Sequence, residues 1–181
     1  MATPNVYRNT IILSVTWSVS SYTFYFCEYY LRLIPTNTLY LQKALMGIAD
    51  IFATLVFYLL MTYLGPVKAY TILFSALAIG GAGLCTLIAY NDTAPGAELP
   101  TWLTALLSIS LLFLRISSFA SSAINMSQVI ELTPTMLQGL VFGVVNTVSR
   151  GITIFSPVVA ELVNNGSWTC CIMACFGIVA A

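Results

Sequence analysis

The sequence predicts an all-α membrane protein built from six transmembrane helices, and three observations carry that prediction. Hydrophobic residues make up 59% of the 181-residue chain and charged residues only 7%. Soluble domains carry roughly 25% charged residues, so a water-facing surface cannot be covered. The apolar residues fall in long unbroken runs, not in the alternating segments of about ten residues that build a membrane barrel. The runs are joined by short polar stretches, and within lipid a helix is the element that satisfies its own backbone hydrogen bonds.

Taken in order, the first run covers about 10–33 and stops before Pro35. It is too long and too aromatic for a cleaved signal segment. The second, about 40–63, is closed by the Gly65-Pro66 pair, and the third runs over about 70–90. The longest loop follows at 91–100, with Asp92, Pro95, Gly96 and Glu98. A fourth run covers about 102–130 and a fifth about 135–163. The sixth, 168–181, would be about 21 Å long at about 1.5 Å per residue, short of the roughly 30 Å hydrocarbon core. That shortfall predicts either a fragment or an unusual last helix. Short loops force alternating directions, so 1–181 reads as one transmembrane bundle.

Orientation is weakly encoded. Arg8 and Lys68 on one side balance Arg32 and Lys43 on the other, so the positive-inside rule does not choose between the two orientations. Asn91-Asp92-Thr93 and Asn165-Gly166-Ser167 match the N-glycosylation pattern and fall on one face, which favours Met1 in the cytosol.

Several function classes are excluded. The chain has no histidine and a net charge of zero, which rules out histidine relays and argues against nucleic acid, whose phosphates need a basic surface. The five cysteines, Cys27, Cys85, Cys170, Cys171 and Cys175, lie in or beside apolar runs and read as small apolar residues. No Ser–His pair or paired deep carboxylates suggest an enzyme, and no cofactor is implied.

The informative residues are charges at membrane depth, which are costly and face a bundle interior or a water-filled cavity. Arg115 lies about 20 Å along the fourth helix and Arg150 at similar depth in the fifth. Asp50 is well inside the second, while Glu28, Glu131 and Glu161 fall nearer helix ends. Asp50 is expected either to lock the bundle by pairing with one arginine or to share a site with a solute. One aspartate cannot neutralise two arginines, so a surplus positive charge is expected, and a guanidinium fork suits a carboxylate. In the first helix Trp17, Tyr22 and Tyr25 lie deep enough to line a pocket for an organic solute. Asn125 is the strongest polar candidate beside the serines that follow Arg115. Gly80, Gly81 and Gly83, and the Gly139/Gly143 pair, predict close helix packing. Gly151 after Arg150, with Pro157, predicts a bend.

These residues resemble the C-terminal six-helix half of a major facilitator superfamily transporter, most like the organic cation/anion/carnitine group. The resemblance rests on Thr3-Pro4-Asn5-Val6-Tyr7-Arg8-Asn9-Thr10 leading to Trp17. It also rests on Glu131-Leu132-Thr133-Pro134-Thr135 followed by Gly139, and on Asn146-Thr147-Val148-Ser149-Arg150-Gly151 with Pro157. It implies that Arg150, Arg115 and Asp50 stand at charged positions of the group's solute cavity. Two departures stand out: 63–68 lacks the group's Asp-Arg-x-Gly-Arg-Arg cluster, and Gln138 replaces a basic residue. The expectation is part of a secondary active transporter for a small anionic or zwitterionic, carnitine-like organic solute at the plasma membrane. Its partners would be the lipid bilayer and an N-terminal six-helix half or other membrane subunits. The alternative is a degenerate, non-transporting half that serves as a structural subunit of a larger complex.

Overall fold

The computed structural model describes residues 4–33, 39–93 and 101–158. They form five helices, α1 Pro4–Leu33, α2 Leu39–Tyr63, α3 Pro66–Thr93, α4 Thr101–Leu132 and α5 Gln138–Thr153. After a break at Ile154, residues 155–158 are helical again. Four stretches are long and apolar enough to cross a membrane: Lys43–Tyr63, Pro66–Leu84, Ala105–Leu132 and Gln138–Val158. The chain is an integral, multi-pass membrane protein. The expected six transmembrane helices are therefore corrected to five helices with four candidate spans among the described residues. The expected sixth segment, 168–181, lies outside the described residues.

The physical reason α1 does not count as a span is its composition. Ser14, Thr16, Ser18, Ser20, Ser21 and Thr23 dilute its apolar character, and Glu28 adds a charge. The helix is accommodated by burial: Leu13, Trp17, Val19 and Phe26 are in the core, and so are Ser14, Ser18, Ser20 and Thr23. The hydroxyls do not go unmet. Those of Thr10, Ser14, Ser18, Ser20 and Thr23 donate to the carbonyls of Val6, Thr10, Ser14, Thr16 and Val19 at 2.6–2.9 Å. Each is one turn back, the usual sink for a helical hydroxyl.

Helix α4 is the centre of the bundle. It packs broadly on α1, α2 and α3, while α5 packs chiefly on α1. Two tight turns set the antiparallel neighbours. Gly65 closes α2 onto α3 with φ +75°, a left-handed conformation that favours glycine. Pro134 begins the turn before α5, where the Leu137 amide donates to the Pro134 carbonyl at 2.8 Å. A buried cluster including Phe26, Met46, Phe74, Leu77, Leu107 and Leu114 joins α1, α2, α3 and α4. A second cluster of Leu13, Trp17, Val129, Val141 and Val145 joins α1, α4 and α5.

Small residues decide how closely α3 approaches α4. A Cβ at Gly80 would stand 2.9 Å from Leu114 Cγ and 3.0 Å from the Ser110 carbonyl oxygen, and one at Gly83 would stand 2.1 Å from Ser110 Oγ. In lipid such contact is a main source of helix association, since lipid tails are as apolar as leucine. A Cβ at Gly139 or Gly143 would meet nothing within 4 Å; the expected close packing at that pair is not made within the described bundle. Outside, Ile51, Phe52, Leu55 and Tyr58 of α2 are exposed, a surface suited to acyl chains.

The two pairs of glycines should therefore respond differently to substitution. Gly80→Val should destabilise the protein by about 2 kcal/mol through overpacking, read as a lower melting temperature in detergent micelles. Gly139→Val should change it by less than about 0.5 kcal/mol. Equal effects from the two substitutions would contradict the α3–α4 contact.

Candidate functional site

Three helices bring four charges together. Lys43 and Asp50 stand two turns apart on one face of α2, Glu28 sits near the end of α1, and Arg115 lies in the first half of α4. Arg115 Nε donates to Asp50 Oδ1 at 2.7 Å and Nη2 donates to Oδ2 at 2.8 Å. This is the two-pronged geometry that makes arginine–carboxylate pairs strong and directional. Nη1 reaches Glu28 Oε2 at 3.4 Å, and Lys43 Nζ donates to Glu28 Oε1. Beneath the guanidinium lies the Phe24 ring, its centroid 3.6 Å from Cζ, a cation–π contact. The Arg115 side chain is 8% exposed, against 26% for Asp50 and 30% for Glu28. The arginine is thus the dry end of the cluster and the carboxylates its more open side.

Two cations and two anions balance. The surplus positive charge expected from one aspartate facing two arginines is therefore not at Arg115, because Glu28 joins the cluster. The surplus is at Arg150. That side chain lies on the exposed face of α5, about 18 Å into its span. Nη1 donates to Tyr25 Oη at 2.6 Å, and Cζ is 5.6 Å from the Tyr25 ring centroid. Among the described residues no carboxylate lies within ion-pair distance of Arg150. The two arginines are linked by aromatic contact. Tyr25 meets Phe24 edge-on at 5.5 Å, and Phe24 is the ring beneath Arg115.

The remaining candidates separate. Trp17 is buried and meets Phe142 edge-on at 5.5 Å, tying α1 to α5. Tyr22 is buried and stacks on Phe26 at 6.2 Å. Both serve the core where the structure places them, and Tyr25 alone of the three stands beside an exposed charge. Asn125 is fully buried on α4, its Oδ1 accepting from Thr16 Oγ1 at 2.8 Å and Tyr70 Oη at 2.7 Å. It holds α1, α3 and α4 together far from either arginine's contacts. Nearby, the Ser20 and Ser121 hydroxyls bond at 2.7 Å between α1 and α4.

Sequence reasoning did not single out Phe24, Lys43 or Tyr70 as site residues. The seven-residue spacing of Lys43 and Asp50 is a signal that both share a face of α2. For Tyr70 no comparable signal exists, because it starts an otherwise plain apolar run.

The cluster predicts a non-additive pattern. Asp50→Leu should cost about 3 kcal/mol by leaving a buried guanidinium under-compensated. The double substitution Asp50→Leu with Arg115→Leu should recover more than half of that loss. Thermal unfolding of the three proteins in the same detergent measures it, and simple additivity would refute a direct coupling.

No protein-family model and no curated protein matches the chain; its own geometry, that of a multi-pass helical membrane protein with two differently placed arginines, is what a functional reading rests on.

Proposed function

We propose that the chain is part of a secondary active transporter that moves a small organic solute, anionic or zwitterionic and carnitine-like, across the plasma membrane. One observation carries this reading: Arg150 is exposed at membrane depth, held by Tyr25 and without a carboxylate among the described residues. A cation there is tolerated where it faces a water-filled cavity or a partner. A solute carboxylate matches the guanidinium in charge and in fork geometry. The Tyr25 hydroxyl fixes the arginine before the solute arrives, which lowers the ordering cost of binding.

In this reading the sequence-predicted site divides by role. Arg150 and Tyr25 contact the solute. Arg115 and Asp50 are positioning residues: their pair holds Phe24, and Phe24 in turn backs Tyr25. The cavity is completed by a partner region, as in the C-terminal half of a major facilitator superfamily transporter, the group whose Pro-Thr and Arg-Gly patterns the chain resembles. A second reading, a structural subunit of a larger membrane complex, is favoured by the buried Arg115–Asp50 pair, in which the arginine already spends three of its five N–H donors on Asp50 and Glu28.

Uptake by cells expressing the full protein separates the two. With labelled carnitine and a panel of organic carboxylates, Arg150→Ala should lower uptake about tenfold or more, as expected for losing a charged hydrogen bond. Arg150→Lys should retain part of it, and Tyr25→Phe should cost a few-fold. Uptake unchanged by Arg150→Ala, with the chain recovered as a stoichiometric component of a complex, would sink the transporter reading.

A further inference from the structure

A second site lies away from both arginines. Between the first half of α1, the start of α3 and the end of α4 is a cavity of about 290 Å³ whose lining includes Ile12, Thr16, Val67, Tyr70, Gln128 and Leu132. Among the described residues no charged one lines it. Ile12, Val67 and Leu132 are exposed, so the mouth opens on the apolar outer surface of the bundle. Its polar lining is Asn9, Thr16, Tyr70, Thr71 and Gln128, and two of these, Thr16 and Tyr70, carry hydroxyls that bond inward to Asn125.

What those hydroxyls do defines the ligand. Each finds its shortest acceptor in Asn125 Oδ1, at 2.8 Å and 2.7 Å. With their hydrogens committed there, both oxygens meet an incoming molecule as acceptors. The Asn125 amide, one hydrogen bond behind the cavity wall, is fully buried, and its Nδ2 has no partner among the described residues. If the amide is turned over, Nδ2 serves the two hydroxyls and the carbonyl oxygen becomes the unmet atom. In that second arrangement the Thr16 and Tyr70 hydrogens are free to donate to an incoming molecule. A group that both donates and accepts answers both cases. An ammonium or carboxylate does not suit, since a charge buried without a partner is costly.

We propose that this cavity binds an uncharged single-chain alcohol from the bilayer, its hydroxyl between Thr16 and Tyr70 and its chain leaving past Ile12 and Val67 into lipid. The volume agrees: at about 30 Å³ per water-sized group, the cavity holds on the order of ten such groups. That is enough for a head group and the first part of a chain, with the rest remaining among acyl tails.

The test is photolabelling of the full protein in phosphatidylcholine nanodiscs with a diazirine-bearing long-chain alcohol. Saturable labelling should fall on the α1 and α3 peptides that contain Ile12–Thr16 and Val67–Thr71, competed by unlabelled octadecanol and not by octadecylamine or stearate. Tyr70→Phe should weaken saturable labelling about fivefold, the effect of one hydrogen bond. Ile12→Trp, at an exposed position, should block the mouth and abolish it without depending on the buried network. Labelling spread evenly over α2 and the other lipid-facing surfaces, equal competition by the charged chains, or saturable labelling that survives Ile12→Trp would each overturn the proposal.

Discussion

The fork between Arg115 and Asp50 is the constraint on which the bundle's arrangement depends. Helix α2 shows why. Only 17% of its apolar span is buried, against 56% for α4, and its contact with α3 is slight compared with its contact with α4. Lipid gives it no hydrophobic reason to prefer protein over acyl chains. What ties it to α4 is Met46 in one buried cluster and Val56, Phe57, Leu60 and Met61 packed against a second that includes Ala120 and Ile124, with Asp50 placed between them to grip Arg115. Separating the helices would strand a charge in lipid on each side, at about 2.5–3.5 kcal/mol per residue even on the lenient insertion scale. Glu28 extends the same penalty to α1. Three helices are thus held by groups none of them can keep alone.

That constraint reaches the exposed arginine through aromatic rings. Arg115 sits on one face of Phe24, Tyr25 meets Phe24 edge-on, and the Tyr25 hydroxyl receives Arg150. Two adjacent residues of α1, about 100° apart around the helix, therefore face different arginines, one paired with carboxylates and the other with no carboxylate partner among the described residues. The Arg115–Asp50 pair holds the Phe24 ring, and the neighbouring Tyr25 holds Arg150. A solute site built in this way loses little entropy in ordering its own side chains.

Much of this was legible from residue order, and the failures have physical causes. Long apolar runs located α2, α3, α4 and α5, and its aromatic and hydroxyl-rich character set α1 apart from them. The same hydroxyls, however, kept α1 from qualifying as a span. Glu28 lies near its helix end as its position in the chain implies, but its reach to Arg115 is not visible when depth is counted along Cα positions. Helical side chains lean toward the N-terminus of their own helix, and α1 and α4 run in opposite directions. Glu28 therefore leans inward while Arg115 leans outward, and the heads meet. The glycines teach a different lesson. Gly80/Gly83 and Gly139/Gly143 suggest the same use, yet among the described residues only the first pair has a neighbour against it. Spacing states what a helix face permits, and the partner decides whether it is used.

The outer surface of the bundle is accordingly of two kinds. Ile51, Phe52, Leu55 and Tyr58 on α2 offer large flexible side chains that acyl tails wet well. On α5, with about 3.6 residues per turn, Arg150 falls on the same face as Gly139 and Gly143. Asn146 stands between the glycines and the arginine on that face, so the strip is made of small or polar side chains and one cation. Lipid tails gain little against bare glycine and cannot solvate a guanidinium. The first surface is complete when the bilayer closes over it. The second is not, and a carboxylate with water or protein around it supplies what lipid lacks, which is why the reading of Arg150 and Tyr25 as a solute site outweighs one confined to the well-paired charges within.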